Sequence, residues 1–372
     1  MRIVNAKLFQ RGRFLSGGVE FGETITRVGP DVTGEGLDAG GCYLIPGLID
    51  IHTHGAVGAD ASDGDGAGLE QLSRYYAAGG VTAWCPTTMT LQEPELRRAM
   101  HTLRDFRRPA DGARLAGINL EGPFLCAAKR GAQALENLHT PDLDLFLRLD
   151  DASGGQIRLV TVAPEVEGAL DFIRGASQLS TVSLGHTAAD YDTARRAYDA
   201  GASHTTHLFN AMPPLHHRAP GVIAAAADAG ATAELITDGL HVHPAMVRMA
   251  HRIFREKLVL ISDSLRCAGM PDGNYTLGGQ PITMTGGKAT LSGTDTLAGS
   301  SIHLLDGLRR AVDFGVPLED AVAAATVTPA KIIHREREIG SLEPGRYADF
   351  LLLDQQLALK GVYIGGRQLC SN

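Results

Sequence analysis

A chain of 372 residues is long enough for one large domain or about one and a half. Its 44% hydrophobic and 20% charged residues form an ordinary globular balance. The net charge of −8 argues against a nucleic-acid-binding surface, but it allows a small anionic substrate in a local basic pocket.

The N-terminus lacks the apolar run of a signal peptide, and no stretch reaches the length of a membrane span. The cysteines are odd in number and widely spaced, without a Cys-x-x-Cys motif, which favours free thiols over disulfides or a cysteine metal site. They are Cys42, Cys85, Cys126, Cys267 and Cys370. The expected location is the cytoplasm.

Short strand patterns occur at both ends of the chain. Residues 2–4, 18–21 and 24–28 have β-like composition and are separated by glycines, and residues 347–353 and 360–364 are similar. Neither end has enough apolar surface for a core of its own. The two ends are therefore predicted to form one small sheet that is split in sequence.

Between the ends, strand and helix patterns alternate. Helical patterns occur near residues 69–78, 94–106, 191–200 and 244–254, with Pro94 at a first-turn position. Eight strands are predicted, at residues 44–51, 81–85, 115–120, 157–162, 181–184, 203–206, 233–236 and 258–262. Eight such units predict an α/β protein with a (β/α)₈ TIM-type barrel, in which residues 267–299 are an insertion and residues 300–314 the closing helix.

Metal-ligand side chains follow several of these strands. His52 and His54 follow the first strand, Glu121 the third, His186 the fifth, His207 the sixth and Asp263 the eighth. Each alone fits an ordinary role, such as the helix N-cap that Asp263 resembles. Because barrel active sites lie at the carboxyl ends of the strands, their shared position predicts one metal site instead. Imidazole and carboxylate ligands suit Zn²⁺, Fe²⁺ or Mn²⁺.

A carboxylate beside a metal-bound water predicts hydrolytic chemistry. The ion would lower the pKa of the water, Asp263 would take its proton, and the resulting hydroxide would attack a carbonyl carbon. Asp263 would then return the proton to the leaving nitrogen, which completes the hydrolysis of an amide.

A second group of residues predicts recognition of a phosphate. Arg218, His241, Asn210 and the backbone amide of Ala211 provide suitable donors. The loop at residues 296–300 is expected to open a helix, so its free amides would be available to a polar ligand.

The motifs PGLIDIHTHG, LEGPF, SLGHT, THLFNAMPPLHHR, DGLHV, ISDS and TLAGS occur in this order, followed by GSLEPGRYAD. Together they resemble the N-acetylglucosamine-6-phosphate deacetylase family of the amidohydrolase superfamily, over nearly the whole chain. The resemblance implies a barrel at residues 47–342 and a small β-sandwich domain at residues 1–46 and 343–372. It also implies hydrolysis of N-acetyl-D-glucosamine 6-phosphate to D-glucosamine 6-phosphate and acetate.

The resemblance also assigns roles to residues of this sequence. Glu121, His186 and His207 would bind the main metal ion, Zn²⁺ being the preferred assignment, and Asp263 would be the acid/base. Because His52 and His54 are retained, the resemblance allows one or two ions per subunit, the second bridged by Glu121. The substrate contacts would be Ala132, Gln133, Asn210, Ala211, Arg218, His241, Leu297, Ala298, Gly299 and Ser300. Arg218 would reach the active site of the neighbouring subunit, which implies a homodimer.

One position departs from the family pattern. Gln133 stands where the family often has a histidine beside the substrate carbonyl, and glutamine can donate a hydrogen bond but carries no proton charge. This leaves open a related hydrolase for another N-acetylated sugar phosphate, such as the galactosamine isomer, or for an N-acyl amino acid. A non-catalytic binding scaffold would predict broken metal positions, yet all of them are present.

Overall fold

The computed structural model describes residues 1–369, so the predicted free thiol of Cys370 and the end of the predicted terminal domain lie outside the described residues. In chain order the strands are β1 (Arg2–Gln10), β2 (Arg13–Phe21), β3 (Ile25–Gly29), β4 (Leu37–Asp38), β5 (Tyr43–Pro46), β6 (Leu48–Thr53), β7 (Gly55–Ala56), β8 (Ala59–Asp60), β9 (Val81–Thr88), β10 (Arg114–Leu115), β11 (Ile118–Glu121), β12 (Ile157–Val162), β13 (Thr181–Leu184), β14 (His204–Thr205), β15 (Thr232–Ile236), β16 (Leu258–Ile261), β17 (Gly273–Leu277), β18 (Gln280–Thr285), β19 (Lys288–Leu291), β20 (Leu297–Gly299), β21 (Phe350–Leu353), β22 (Leu359–Ile364) and β23 (Arg367–Leu369). The α-helices are α1 (Gly66–Ala78), α2 (Glu93–Asp105), α3 (Leu143–Ser153), α4 (Ala169–Ala176), α5 (Tyr191–Asp199), α6 (Gly221–Ala229), α7 (Pro244–Phe254), α8 (Leu304–Asp313), α9 (Leu318–Ala324) and α10 (Val327–Ile332).

Both chain ends meet in one sheet, as predicted. Its strand order is β23-β22-β21-β5-β1-β2-β3, with β4 paired to β1. The sheet curves around its own core, because Phe21 of β2 lies edge-on to Phe350 of β21 with ring centroids 5.0 Å apart, although these strands are not neighbours. Neither end could have buried these rings alone, which is why the sheet needs both.

The apolar run at residues 44–51 is not one strand, so that prediction was wrong. β5 belongs to the terminal sheet, where it pairs with β1 and β21, and β6 begins the barrel. Gly47 lies between them, and a Cβ atom there would come within 2.0 Å of Thr82 Oγ1. The close approach needs glycine at the point where the chain passes from one sheet to the other. The predicted domain limits themselves stay a prediction.

Eight parallel strands form the predicted barrel, in the order β6, β9, β11, β12, β13, β14, β15 and β16. The barrel closes beyond β16, where the Asp263 N–H donates to His52 O and the His54 N–H donates to Ser264 O, both at 2.9 Å. The predicted third strand is interrupted, since β10 and β11 pair separately with β9. Closure brings the residues that follow β16 next to those that end β6.

The helices cover the outside of the barrel. α2 has Pro94 in its first turn, as predicted, and buries Leu96, Met100 and Leu103. The carboxylate of Asp65 accepts hydrogen bonds from two N–H groups in the first turn of α1, which fixes where that helix begins. Among residues 1–369 no helix is long and apolar enough to cross a membrane.

The predicted insertion is a small antiparallel sheet of β17, β18, β19 and β20. The expectation that the loop at residues 296–300 opens a helix was wrong. Leu297 and Gly299 pair with Thr290 and Ala289 of β19, and α8 begins only at Leu304. Backbone groups of this loop therefore pair with β19, whereas the first N–H groups of a helix would have been free to bind a ligand.

Candidate metal centre and active site

Glu121 lies at the centre of the candidate site, at the end of β11, and its side chain is buried. Its Oε1 atom is 3.2 Å from His186 Nε2 and 3.0 Å from His207 Nε2. These two imidazoles come from the turns after β13 and β14. The structure thus brings together the three residues predicted to bind the main metal ion.

His52 and His54 approach the same carboxylate from β6. His52 Nε2 lies 3.3 Å from Glu121 Oε1, and His54 Nε2 lies 3.2 Å from Glu121 Oε2. Glu121 is therefore shared by two groups of nitrogen atoms. In each group the ligand atoms lie within 4.8 Å of one another, which is compact enough for a metal ion.

Unusual backbone geometry aims several of these side chains. The φ angles of His186, His207 and Asp263 are 46°, 26° and 50°, in the left-handed region that non-glycine residues seldom occupy. Such conformations persist where the surrounding structure enforces them, and they concentrate at functional sites. Here each one follows a barrel strand, and the side chains of His186 and His207 contact Glu121 while that of Asp263 lies beside His52 and His54.

Hydrogen bonds on the outer side of His52, His54 and His186 set the tautomers of these three imidazoles. The Nδ1–H groups of His54 and His186 donate to the carbonyl oxygens of Thr87 at 3.2 Å and Lys129 at 2.9 Å. His52 Nδ1 donates to the carboxylate of Glu234 at 2.8 Å. In the neutral imidazoles the Nε2 atoms are then acceptors, and they face the acceptor oxygens of Glu121. A cation between the imidazole nitrogens and the carboxylate oxygens would remove the repulsion between these acceptors.

The directions in which the pKa values of His54 and Glu121 shift also indicate that this cluster attracts positive charge. Burial disfavours protonation of His54, but hydrogen bonds and attraction from Asp263 and Glu121 outweigh it and raise the pKa to about 10. Burial opposes ionisation of Glu121, yet the surrounding imidazoles hold the pKa of its carboxyl well below the usual range. Imidazole nitrogens and a buried carboxylate in this charge environment suit a divalent metal ion.

Asp263 lies beside the nitrogen atoms of β6. Its Oδ1 atom is 3.4 Å from His54 Nε2 and 3.6 Å from His52 Nε2, and the residue is only 7% exposed. No helix begins at Asp263, so the N-cap interpretation does not apply. The carboxylate lines the same cavity as His54, Glu121, His186 and His207, close to the place where these residues would hold a metal ion.

Gln133 is fixed in one orientation. The buried Thr90 N–H donates to its Oε1 atom at 2.7 Å, which leaves the amide nitrogen to donate to Glu121 Oε2 at 2.8 Å. Because a backbone donor settles which end is oxygen, Gln133 supports the carboxylate that the four imidazoles share.

A cavity of about 710 Å³ opens above this cluster, a volume typical of small-molecule sites. It is lined by most of the predicted substrate contacts, namely Ala132, Gln133, Asn210, Ala211, His241, Leu297, Ala298 and Gly299. Ser300 does not line it: its hydroxyl donates to the Ser262 carbonyl behind the wall. Lys129, Arg130, Phe209 and Asp295 also line the cavity and were not predicted as contacts.

Arg218 lies outside the cavity of its own chain. It is exposed and borders a separate groove of about 520 Å³, together with Asp190, Tyr191 and Pro213. This position brings Arg218 to the surface and not to the cluster around Glu121.

Two acidic residues of the site were not predicted from the sequence. Glu234, in β15, is fully buried and accepts the His52 hydrogen bond, and Asp238 Oδ2 is 2.7 Å from His241 Nδ1. Burial opposes protonation of His241, but the bond to Asp238 and its negative charge raise the pKa of the imidazole. The signal for Glu234 was a glutamate in an otherwise apolar strand.

A closed parallel barrel with imidazole and carboxylate groups at the carboxyl ends of its strands defines a metal-dependent hydrolase. The chain belongs to the amidohydrolase family, whose sequence model matches residues 43–369. The N-acetylglucosamine-6-phosphate deacetylase of Vibrio furnissii is 37% identical over 90% of this chain and 84% of its own length. The N-acetylgalactosamine-6-phosphate deacetylase of Escherichia coli O157:H7 is 38% identical over 87% of each.

A solved structure agrees over the whole chain. It is a mutant N-acetyl-D-glucosamine-6-phosphate deacetylase from Mycobacterium smegmatis in complex with N-acetyl-D-glucosamine-6-phosphate. The two folds match with a TM-score of 0.94 at 32% identity, over 100% of this chain and 99% of the other. The similarity therefore includes the terminal sheet as well as the barrel.

Proposed function

We propose that this amidohydrolase converts N-acetyl-D-glucosamine 6-phosphate and water into D-glucosamine 6-phosphate and acetate, in amino-sugar catabolism. The observation that carries the proposal is the convergence of four imidazoles and Asp263 around Glu121, with all of these residues except His52 lining one cavity. The relatives and the solved structure named for this activity support it over most of the chain.

The ligand roles follow from the two groups around Glu121. Glu121, His186 and His207 would hold the main ion, and His52 and His54, together with Glu121, would hold a second ion. Zn²⁺ suits this nitrogen-rich set best, while Fe²⁺ and Mn²⁺ accept the same ligands. A divalent ion held there would lower the pKa of a coordinated water and polarise the acetyl carbonyl.

Asp263 moves the protons of the reaction. Its carboxylate accepts a proton from the attacking water and then delivers it to the amide nitrogen, so that the carbon–nitrogen bond breaks and acetate and the free amine leave. Its low exposure keeps bulk water from competing for that proton. Gln133 keeps Glu121 in place throughout, without taking or giving a proton.

The phosphate binds at the opposite end of the substrate. Asn210, the amide of Ala211 and His241, which line the cavity, would bind the phosphate, and Ala132 and residues 297–299, which also line it, would contact the sugar. Arg218 completes the phosphate site from a neighbouring subunit in a homodimer, since it lies at the surface of its own chain. The cytoplasm remains the expected location.

Asp263→Asn tests the proposal most directly. The variant should retain its metal content and lose about 10²–10⁴-fold in kcat for acetate release, because the amide cannot accept the proton of water. Asp199→Asn is a control, as it alters an exposed carboxylate paired with Arg195 on α5. Normal turnover by Asp263→Asn would show that the acid/base is another group.

A second candidate substrate is the galactosamine isomer. Gln133 departs from the histidine of the resembled family, and a relative at 38% identity carries the name N-acetylgalactosamine-6-phosphate deacetylase. Comparing kcat/KM for the two sugar phosphates decides between them. Equal turnover of phosphorylated and unphosphorylated sugars would instead remove the phosphate assignment and favour an N-acyl substrate of another kind.

A further inference from the structure

Glu234 is a buried carboxylate that takes no part in the proposed hydrolysis. It lies in β15 with no exposed surface. Its Oε2 atom accepts two hydrogen bonds, from His52 Nδ1–H at 2.8 Å and from the His207 backbone N–H at 3.0 Å. Its Oε1 atom lies 3.1 Å from Nε2 of His204, which is also buried.

One oxygen atom of Glu234 thus touches both groups of candidate ligands. His52 belongs to the group from β6, and His207 belongs to the group with His186. His207 has a φ of 26°, so its turn needs a partner for the N–H group that the conformation directs inward. The hydrogen bonds to Glu234 orient the ring of His52 and the backbone of His207 at once.

We propose that Glu234 is a positioning residue that couples the two metal-binding groups, so that filling one prepares the other. A carboxylate behind a ligating imidazole fixes its orientation and increases its basicity. Glu234 also adds a buried carboxylate to those of Glu121 and Asp263, and buried carboxylates require compensating positive charge. The arrangement favours two ions over one. This inference rests on the metal site of the proposed function.

Titration of the metal-free, full-length protein with Zn²⁺ tests the coupling without any substrate. Calorimetry gives affinities, and elemental analysis after gel filtration gives the number of ions retained. Glu234→Ala removes both hydrogen bonds, whereas the amide oxygen of Glu234→Gln can still accept both. Asp50→Asn is the matched control, because Asp50 is also deeply buried and its Oδ1 atom accepts from the backbone N–H groups of His52 and Ser262, which an asparagine oxygen can still do.

The wild type should retain two ions, and Glu234→Ala should retain one, bound about 10–100-fold more weakly. Glu234→Gln should fall between them and Asp50→Asn should match the wild type. Excess Zn²⁺ should restore kcat to Glu234→Gln, which a merely structural defect would not allow. If Glu234→Ala does not fold, a loss of affinity in Glu234→Gln relative to Asp50→Asn carries the test.

The coupling is overturned if the wild type retains one ion, if both Glu234 variants bind two ions as tightly as the wild type, or if Asp50→Asn shows the same loss. The proposed function is judged separately, by acetate release from the sugar phosphate. A protein with Glu234-dependent binding of two ions but no acetate release would disprove the deacetylase proposal and leave the coupling intact.

Discussion

His186 Nε2 and His207 Nε2 lie 3.0 Å apart, and both point at the same oxygen atom of Glu121. His186 donates from Nδ1 to Lys129 O, so its Nε2 atom offers only a lone pair in the neutral ring. Two imidazoles and a carboxylate held this closely repel unless a proton or a cation lies among them. The stability of the protein should therefore depend on bound metal.

Removal of metal by a chelator should lower Tm and abolish acetate release, and Zn²⁺ should restore both. An ion present at 100 times its Kd stabilises the folded state by about 2.7 kcal/mol, and more if a second ion binds. Scanning calorimetry of the stripped and reloaded protein measures the change. Mg²⁺ serves as the control, because it prefers oxygen ligands. Identical Tm values before and after stripping would contradict a metal-filled site.

Gln133→Leu should destabilise the protein and weaken the metal site. The substitution leaves the buried Thr90 N–H without its acceptor, which costs about 1–3 kcal/mol in the free energy of unfolding. It also removes the donor to Glu121, so Zn²⁺ affinity should fall about 10-fold or more. Urea unfolding and Zn²⁺ titration measure the two effects.

Gln178→Leu is the matched control for that variant, since the Gln178 side chain is exposed beyond the end of α4. This control should change the free energy of unfolding much less than Gln133→Leu does. Unchanged Zn²⁺ affinity in Gln133→Leu would show that Glu121 needs no support from this side.

Much of this site could be predicted from sequence because a parallel barrel collects the carboxyl ends of its strands on one rim. Glu121 ends β11, and His186 and His207 lie two residues beyond the ends of β13 and β14, so their convergence followed once eight strands were counted. Glu234 could not be found this way. It lies within a strand, and only the fold shows that its side chain meets His52 across the barrel.

Two errors in the predicted elements also have physical causes. The run at residues 44–51 is mostly apolar and buried in one sheet or the other, and the division at Gly47 depends on how closely Thr82 approaches. The loop at residues 296–300 reads as a helix start, but β19 lies alongside and pairs with it. A local sequence pattern indicates neither the approach of Thr82 to Gly47 nor the pairing of this loop with β19.

Arg218→Ala should raise KM for the phosphorylated substrate about 10-fold or more while kcat changes little. Loss of a hydrogen bond to a charged group costs about 1.5–3 kcal/mol, and 1.4 kcal/mol corresponds to a factor of ten. Steady-state kinetics with the phosphorylated and unphosphorylated sugars separates phosphate binding from other effects. Arg195→Ala is the control, because it removes an arginine paired with Asp199 on α5.

Mixing two impaired variants at limiting substrate concentration tests whether Arg218 acts in the neighbouring subunit. In hybrids of Arg218→Ala and Asp263→Asn, one site of each hybrid dimer carries both defects and the other carries neither. Random exchange of subunits should therefore restore roughly a quarter of wild-type activity at limiting substrate concentration. If Arg218 served its own chain, every hybrid site would be defective and no activity would return.

KM for the phosphorylated substrate should depend on pH through His241. Its bond to Asp238 raises the pKa of the imidazole above the ordinary value of about 6.5, so the ring stays positively charged to a higher pH. The attraction to phosphate is fully present below the ordinary pKa and is lost as pH rises through the raised one. KM should accordingly increase across that interval, and Asp238→Asn should move the increase to lower pH.

The comparison of the two proteins isolates His241, because the phosphate of the substrate titrates identically in both. Asp320→Asn is a matched control: Asp320 Oδ2 lies 2.9 Å from His251 Nε2 in a similar pair that does not line the cavity. KM profiles measured with the phosphorylated sugar should coincide for this control and the wild type. If Asp238→Asn also leaves the profile unchanged, the charge on His241 does not contribute to phosphate binding.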